Sequence, residues 1–182
     1  SEPPVFTSAA SFVVAENQTS IGTAKATDVN SPVITFSVSG SELVVTPAGI
    51  LSFATAPDYE TKSAYTATVT ATDGTNLTTQ NIDVTVSDVD EAPVMGVLSY
   101  TADENQISIG SVVASDPEGQ AVSFSVSGSA LTITSGGVLS FVTAPDYETK
   151  TSYMATVTAS DGTNSITQSV TVTVTDVDDV AP

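Results

Sequence analysis

The stretch AYTATVTATDGTN at residues 64–76 decides the fold class, and it returns as SYMATVTASDGTN at residues 152–164. In both copies Tyr, Ala, Val and Ala occupy every second position, and a turn with Gly and Asn follows. A period of two places alternate side chains on opposite faces of a β-strand. No comparable stripe with the 3.6-residue helical period appears, so the pattern predicts strands with one face buried.

Most of the chain repeats itself with an offset of 88 residues, and the aligned segments contain no gap. SFVVAENQTSIGTAKATD at 11–28 aligns with SYTADENQISIGSVVASD at 99–116. Repetition of this length indicates two copies of one domain, and we predict domains at 1–90 and 91–182 with a linker at about 88–93. Turn signals such as NSP, PAG and APD separate short alternating runs, which favours antiparallel sandwiches. The predicted fold is all-β: two tandem Greek-key, immunoglobulin-like β-sandwiches of about seven strands each.

Composition excludes several classes of function. The formal net charge is −18, and Lys and Arg together number 3 in 182 residues. Phosphate backbones and anionic membrane surfaces are therefore disfavoured partners, and we expect neither nucleic acid nor direct membrane contact. The absence of Cys excludes disulfides and thiolate chemistry. Because both ends resemble Pro-containing domain junctions, we expect a monomeric fragment of a longer chain.

Acidic residues recur at equivalent positions in the two copies, in turns and near the domain junction rather than across the strands. The pairs are Glu16/Glu104, Asp28/Asp116, Asp58/Asp146, Glu60/Glu148, Asp73/Asp161, Asp88/Asp176, Asp90/Asp178 and Glu91/Asp179, and Glu118 stands opposite Asn30. Two unit charges 4 Å apart repel by about 4 kcal/mol at an effective dielectric constant near 20. A multivalent cation would offset this repulsion. Oxygen ligands without His or Cys favour Ca²⁺ over zinc or copper, and Mg²⁺ tolerates irregular cages poorly.

The motifs AEN, PDYE, ATDGTN and DVDEAP, in this order and in both copies, resemble the cadherin repeat, and most closely the cadherin-like repeats of large bacterial surface proteins. The resemblance covers both copies nearly end to end. It implies Ca²⁺ ions clamped between consecutive repeats and an extracellular, cell-surface location in a secreted or outer-membrane-attached bacterial protein. The linker DVDEAP is one residue shorter than the family pattern, and the Asp-x-Asp motif of the second copy is DPE.

The resemblance also implies three groups of calcium ligands. At the middle junction they are Glu16, Asp58, Glu60, Asp88, the Val89 carbonyl, Asp90, Glu91, Asp116, Glu118 and Asp161. An N-terminal half-site would comprise Asp28, Asn30 and Asp73. A C-terminal half-site would comprise Glu104, Asp146, Glu148, Asp176, Asp178 and Asp179.

Other interpretations of the acids remain open. Asp favours turns by bonding its own backbone, so the acids are also compatible with solvated turns. A glycosidase pair needs carboxyl groups across a sugar-binding cleft, whereas Asp58 and Glu60 are two residues apart and duplicated, so we predict that the chain is not an enzyme. The leading functional hypothesis is a Ca²⁺-rigidified extender of a cell-surface adhesin. The alternative is a Ca²⁺-dependent module that binds polysaccharide or another repeat.

Overall fold

The computed structural model describes residues 2–178, and all regular secondary structure in this range is β. The chain forms two compact units, Ser1–Val89 and Asp90–Pro182. Each unit carries one copy of the sequence repeat. Within residues 2–178 no helix has the length and hydrophobicity needed to cross a membrane.

The first unit contains two main sheets and one small ladder. Its strands are β1 (Val5–Phe6), β2 (Ser11–Ala15), β3 (Ser20–Thr23), β4 (Ala26–Thr27), β5 (Thr35–Val38), β6 (Leu43–Val45), β7 (Ile50–Phe53), β8 (Ala64–Thr72) and β9 (Leu77–Ser87). One sheet has the order β2-β9-β8-β5, and the other has the order β3-β7-β6. The pairing of β2 with β9 is parallel, whereas β8 and β9 form a long antiparallel hairpin. The two-residue strands β1 and β4 pair separately.

The second unit repeats this arrangement. Its strands are β10 (Val94–Met95), β11 (Leu98–Asp103), β12 (Ser108–Ser111), β13 (Ala114–Ser115), β14 (Ser123–Val126), β15 (Leu131–Ile133), β16 (Val138–Phe141), β17 (Ser152–Ser160) and β18 (Ser165–Thr175). The main sheets have the orders β11-β18-β17-β14 and β12-β16-β15, with a small β10-β13 ladder. The predicted all-β fold is confirmed: four and three strands make up the two main sheets of each unit.

The core of each unit lies between its two main sheets. In the first unit, Val69 of β8 and Val84 of β9 pack with Leu51 and Phe53 of β7, and each is at most 2% exposed. Burial on one face of β8 and β9 follows the alternation of the sequence, because successive side chains of a strand point to opposite faces. The Tyr65 ring packs against the core through an edge-to-face contact with Phe53, and the two ring centroids are 5.0 Å apart.

A glycine sets the turn between β6 and β7 in the first unit. Gly49 has φ +91°, a backbone conformation that side chains with a Cβ rarely adopt. A Cβ at this position would also lie 2.2 Å from the Ala24 carbonyl oxygen. Gly137 occupies the same conformation in the second unit, at φ +91°. The turn therefore requires glycine for both backbone freedom and space.

Candidate metal centre

The carboxylate of Glu16 is placed by the end of β2. The Glu16 amide donates to the Ser87 carbonyl of β9 at 3.1 Å, which fixes the residue against the strand ladder. Asn17 then adopts a left-handed conformation with φ 63°, and its amide donates to the Pro57 carbonyl at 2.9 Å. Asn enters this region more readily than most residues. The AEN motif thus ends the strand and holds the Glu16 side chain inside, with 3% of the residue exposed.

Both oxygens of Glu16 accept backbone hydrogen bonds. The Tyr59 amide donates to Oε2 at 2.7 Å, and the Val89 amide donates to Oε1 at 2.8 Å. These bonds join the end of β2 to the PDYE connection and to the last residue of the unit. A carboxylate offers about four lone-pair sites, so each oxygen retains capacity for a second, positively charged partner.

Two further acids converge on Glu16. Oxygen atoms of Glu16, Glu60 and Asp88 lie within 4.8 Å of one another, and the Glu60 and Asp88 side chains are exposed. Asp58, the other acid of PDYE, shapes the turn that carries Glu60. The Thr61 amide donates to Asp58 Oδ1 at 3.1 Å, and the Thr61 hydroxyl donates to Oδ2 at 3.0 Å. The first unit therefore gathers carboxylates beside the point where the chain leaves it.

The charges of this cluster are not offset by the nearby lysine. Lys62 Nζ pairs with Glu42 at 2.6 Å and lies 4.4 Å from the centroid of the Tyr65 ring. Hydrogen bonding to its own backbone lowers the pKa of Glu60, but partial desolvation and repulsion from Glu16, Asp88 and Asp58 outweigh this effect and raise the pKa above its usual value. Repulsion among the carboxylates is the force that a cation would relieve.

The second unit repeats the cluster residue by residue. Glu104 is 3% exposed and accepts from the amides of Tyr147 at 2.8 Å and Val177 at 2.9 Å. Oxygens of Glu104, Glu148 and Asp176 lie within 4.8 Å of one another. As for Glu60, the pKa of Glu148 is raised although its own backbone hydrogen bond lowers it, because desolvation and the neighbouring acids prevail.

The pKa of Asp146 is shifted in the opposite direction to that of Glu148. The Thr149 hydroxyl donates to its Oδ2 at 2.7 Å, and the Thr149 amide lies 3.3 Å from Oδ1. This side-chain hydrogen bond is the main reason that the pKa of Asp146 lies below its usual value. Asp178 is exposed and outside the cluster, and Asp179 lies outside the described residues.

A second group of predicted ligands in the first unit lies in turns. Asp28 Oδ1 accepts from the amides of Asn30 at 2.6 Å and Ser31 at 2.7 Å, which closes the turn after β4. Its Oδ2 is buried and has no hydrogen-bond partner among the described residues. Asp73 Oδ1 accepts from the amides of Thr75 and Asn76 in the hairpin turn between β8 and β9. Burying a carboxylate oxygen without a partner is costly, so Asp28 Oδ2 is a candidate ligand atom for a cation.

The equivalent turns of the second unit carry more unpartnered oxygens. Asp116 Oδ2, Asp161 Oδ2 and both carboxylate oxygens of Glu118 are buried without a hydrogen-bond partner among the described residues. Desolvation raises the pKa of Glu118, and the neighbouring Asp116 adds to the effect. The first unit has the neutral Asn30 where the second has Glu118.

Two amide side chains that the sequence analysis did not single out anchor the first linker acid of the second unit. Asn164 Nδ2 donates to the Asp90 carbonyl at 2.9 Å and to Asp90 Oδ2 at 3.1 Å. Gln120 Nε2 donates to Asp90 Oδ1. Asn164 belongs to the turn of Asp161, and Gln120 to the turn of Asp116. The unpartnered oxygens of the second unit therefore lie at the end where the chain enters it. Asn164 belongs to the DGTN motif of the sequence, but only the folded structure shows that it donates to Asp90.

The donor set fits calcium. All candidate ligands are carboxylate or carbonyl oxygens, and the chain has no Cys or His. Ca²⁺ takes six to eight oxygen ligands in flexible geometry. This geometry suits carboxylates that already accept hydrogen bonds from backbone amides and can use only their remaining lone pairs for a metal. Buried, unpartnered oxygens of Asp28, Asp116 and Asp161 are the kind of atom that a bound cation would satisfy. Geometry thus brings together Glu16, Glu60 and Asp88 in one unit, and Glu104, Glu148 and Asp176 in the other.

Comparison with known proteins supports this fold. Residues 90–175 match the family described as Bacterial Ig domain. The chain is 33% identical over 158 residues to Chitinase A of Pseudoalteromonas piscicida, covering 84% of this chain but 19% of the chitinase. This chain therefore spans about a fifth of that relative.

Solved structures of cadherins have the same fold. Human Protocadherin-24 EC1-2 aligns with a TM-score of 0.62 and 21% identity over 97% of this chain and 100% of that chain. Drosophila N-cadherin EC1-4 gives a TM-score of 0.60 and 22% identity over 96% of this chain and 50% of that chain. Mouse Cadherin-23 EC22-24 gives a TM-score of 0.54 and 21% identity over 96% of this chain and 65% of that chain. Each unit therefore has a cadherin-like β-sandwich fold, and residues 90–175 of the second unit match the family described as Bacterial Ig domain.

Proposed function

We propose that this chain is a calcium-stiffened spacer in an extracellular, cell-surface protein, in which Ca²⁺ binds next to the linker between the repeats. The observation that carries the proposal is the position of the unneutralised carboxylates within each unit. In the first unit they surround the exit of the chain, since Val89 itself donates to Glu16. In the second unit, unpartnered acidic oxygens lie in the turns that hold Asp90, the entry of the chain.

Electrostatics supplies the mechanism. Without a cation, the carboxylates around the linker repel one another, and an extended or variable linker lowers this repulsion. A calcium ion coordinated by several of these carboxylates removes their repulsion. It therefore favours a narrower range of linker conformations. Extracellular calcium modules bind with dissociation constants of roughly 10⁻⁴–10⁻³ M. Sites of this affinity would be empty at cytosolic calcium concentrations and filled outside the cell. Neighbouring repeats of the same chain are then its principal partners.

Small-angle X-ray scattering with calcium and with chelator tests the spacer. Calcium is expected to narrow the distribution of maximum dimensions, and Asp88→Asn is expected to weaken this response because it removes one charge from the cluster at the exit. Glu42→Gln is a matched control, since Glu42 pairs with Lys62 and is not part of the cluster. If calorimetry detects no calcium binding and scattering is unchanged by chelator, the spacer proposal is wrong.

A second candidate function is a non-catalytic module that contacts polysaccharide. Its support is the 33% identity to a region of a chitinase that is far longer than this chain. Catalysis by the repeats themselves is not proposed. Asp58 accepts hydrogen bonds within its own turn, and Glu60 lies among other carboxylates, whereas a glycosidase pair flanks a sugar-binding cleft. A soluble oligosaccharide series, titrated in saturating calcium, separates this function from a pure spacer. Saturable binding would support the polysaccharide-binding function. No binding would support the spacer function only.

A further inference from the structure

The outer face of the four-stranded sheet in the first unit contains a polar groove. The groove has a volume of about 440 Å³, and its polar lining comprises Ser39, Thr66, Thr68, Asn81 and Asp83. Thr66 pairs directly with Asp83, and Thr68 pairs directly with Asn81, across β8 and β9. All four therefore point to the same face of the sheet, opposite the core. The volume lies within the range of small-ligand sites.

Hydrogen bonding within the groove leaves two strong groups available. The Thr68 hydroxyl donates to Asn81 Oδ1 at 2.9 Å and so orients the Asn81 amide. Among the described residues, nothing pairs with Asn81 Nδ2 or with the Asp83 carboxylate. The two residues are two apart on one strand, roughly 7 Å along its axis. A donor and a charged acceptor thus stand side by side on an exposed surface.

Asp83 is unusual for its position. Among the described strands it is the only acid that does not stand at a strand end, because Asp103 is the last residue of β11. Asp is disfavoured in strands, and within residues 2–178 no lysine forms an ion pair with Asp83. Its main-chain amide still pairs with the Ala10 carbonyl at 2.8 Å, so the strand is regular there. The fold does not need a carboxylate at this position.

The second repeat provides an internal comparison. The equivalent positions hold Ser127, Met154, Thr156, Ser169 and Thr171. The backbone arrangement is the same, since the Ser127 hydroxyl accepts from the Thr156 amide at 2.9 Å, as the Ser39 hydroxyl accepts from the Thr68 amide at 2.9 Å. The amide and the carboxylate are both missing, and an exposed Met154 replaces a threonine. The polar pair is thus a property of the first repeat alone.

We infer that this groove binds an uncharged oligosaccharide, with Asn81 and Asp83 as the residues that recognise neighbouring hydroxyl groups. Each sugar hydroxyl both donates and accepts: one would donate to the Asp83 carboxylate, and its neighbour would accept from Asn81 Nδ2. A charged acceptor makes the stronger of these bonds. The Thr66 and Ser39 hydroxyls add adaptable partners on either side.

Charge and polarity select this class of ligand. Asp83 and the net charge of −18 disfavour uronic acids, sulfated sugars and phosphates. Ala67 and Ile82 also line the groove, but both pack in the core. The exposed lining therefore offers no large apolar anchor for a lipid or for the side chains that dominate peptide recognition. A single carboxylate does not make a calcium site. The inference gives the saccharide-binding candidate function a location, and it rests on that function.

NMR titration of the full 182-residue chain in saturating calcium tests the inference. The probes are N-acetylchitohexaose and cellohexaose, with a hexamer of galacturonic acid as the anionic comparator. At least one neutral probe is expected to shift the amides of Ser39, Thr66–Thr68 and Asn81–Asp83 at millimolar concentration. The equivalent amides of the second repeat should not move. The anionic probe should bind at least tenfold more weakly.

Exchange of residues between the repeats provides the decisive variants. Asn81→Ser combined with Asp83→Thr installs residues that the second repeat already accommodates, and it should weaken binding at least tenfold, the loss expected for a charged hydrogen bond. Ser169→Asn with Thr171→Asp and Met154→Thr should create binding in the second repeat. Both variants should leave calcium titration unchanged, which shows that they fold.

Three outcomes overturn the inference. If no probe binds at any concentration tested, both the saccharide-binding candidate and this site are wrong. If a probe binds but shifts amides outside the groove, or survives the Asn81→Ser/Asp83→Thr exchange, only the site is wrong. If the groove amides broaden with protein concentration and without any sugar, a second copy of the chain covers the groove, and the assignment to saccharide fails.

Discussion

The carboxylate of Glu16 accepts a hydrogen bond from the amide of Val89, 2.8 Å away and 73 residues later in the chain. Glu104 and Val177 repeat this relationship at 2.9 Å with the same separation. A buried acid at the end of the first long strand thus fixes the residue with which the chain leaves each repeat. These hydrogen bonds couple the stability of each sandwich to the position of the acidic residues that follow β9 or β18.

This coupling predicts that Glu16→Gln destabilises the first repeat even without calcium. Glutamine keeps one acceptor oxygen but places an NH₂ group against either the Tyr59 or the Val89 amide, so one partly buried donor loses its partner. The expected loss in free energy of unfolding is about 1–3 kcal/mol. Urea denaturation, followed by signals assigned to the first repeat, measures it. Glu104→Gln should produce the same loss in the second repeat, and a loss confined to calcium-loaded protein would contradict the structural role.

The raised pKa of Glu60 predicts a pH dependence with a definite sign. A carboxylate whose pKa is higher in the folded protein than in the unfolded chain favours folding at low pH, and this contribution is lost as pH rises through the folded pKa. In calcium-free protein, Glu60→Gln should therefore raise the melting temperature near neutral pH and have little effect at about pH 4. In calcium the same variant should bind the ion more weakly.

Thermal unfolding of exhaustively dialysed protein across this pH range gives the measurement. Glu148→Gln is the equivalent change in the second repeat, where the pKa is raised for the same reasons. Glu42→Gln serves as the control because its carboxylate pairs with Lys62 instead of facing other acids. A lower melting temperature for calcium-free Glu60→Gln at neutral pH would show that repulsion does not dominate the cluster.

The alternation of β8 predicts a large difference between adjacent positions. Val69 is fully buried between the sheets, whereas the neighbouring Thr70 lies on the opposite face. Val69→Ala removes two buried methyl groups and leaves a cavity, for an expected loss of about 1–3 kcal/mol. Thr70→Ala should change stability by less than about 0.5 kcal/mol. Val157→Ala and Thr158→Ala form the matched pair in the second repeat. Similar losses at Val69 and Thr70 would mean that both faces are buried in solution.

The same alternation explains why the fold was predictable from sequence. Tyr65, Val69 and Ala71 mark one face of a strand, and a repeat of 88 residues marks two domains, without any long-range information. The AEN motif located Glu16, but the sequence does not contain the fact that its carboxylate meets the amides of Tyr59 and Val89. Those contacts follow from the parallel pairing of β2 with β9, which joins segments far apart in the chain.

Contacts made by uncharged polar side chains were not predictable from the sequence. Gln120 and Asn164 carry no charge and stand in ordinary turn sequences, yet both donate to Asp90. Asn81 and Asp83 were equally inconspicuous, because an amide and an acid two residues apart acquire meaning only when the sheet places Thr66 and Thr68 beside them. Sequence patterns report periodicity and charge, whereas the satisfaction of individual hydrogen bonds depends on the assembled fold.

Calcium at the linker predicts protection of the peptide bond after Glu91 from a glutamate-specific protease. Cleavage requires the linker to leave its restricted conformation, so a site at ten times its dissociation constant should slow cleavage about tenfold relative to calcium-free protein. Asp88→Asn should weaken the protection because it removes one carboxylate from the cluster with Glu16 and Glu60. Asp176→Asn makes the same change in the second repeat and should leave protection at Glu91 intact. Mass spectrometry of timed digests, with an unrelated substrate to normalise protease activity, gives the rates. Equal cleavage rates with calcium and with chelator would show that ion binding does not restrict the linker, even if the ion binds elsewhere on the repeats.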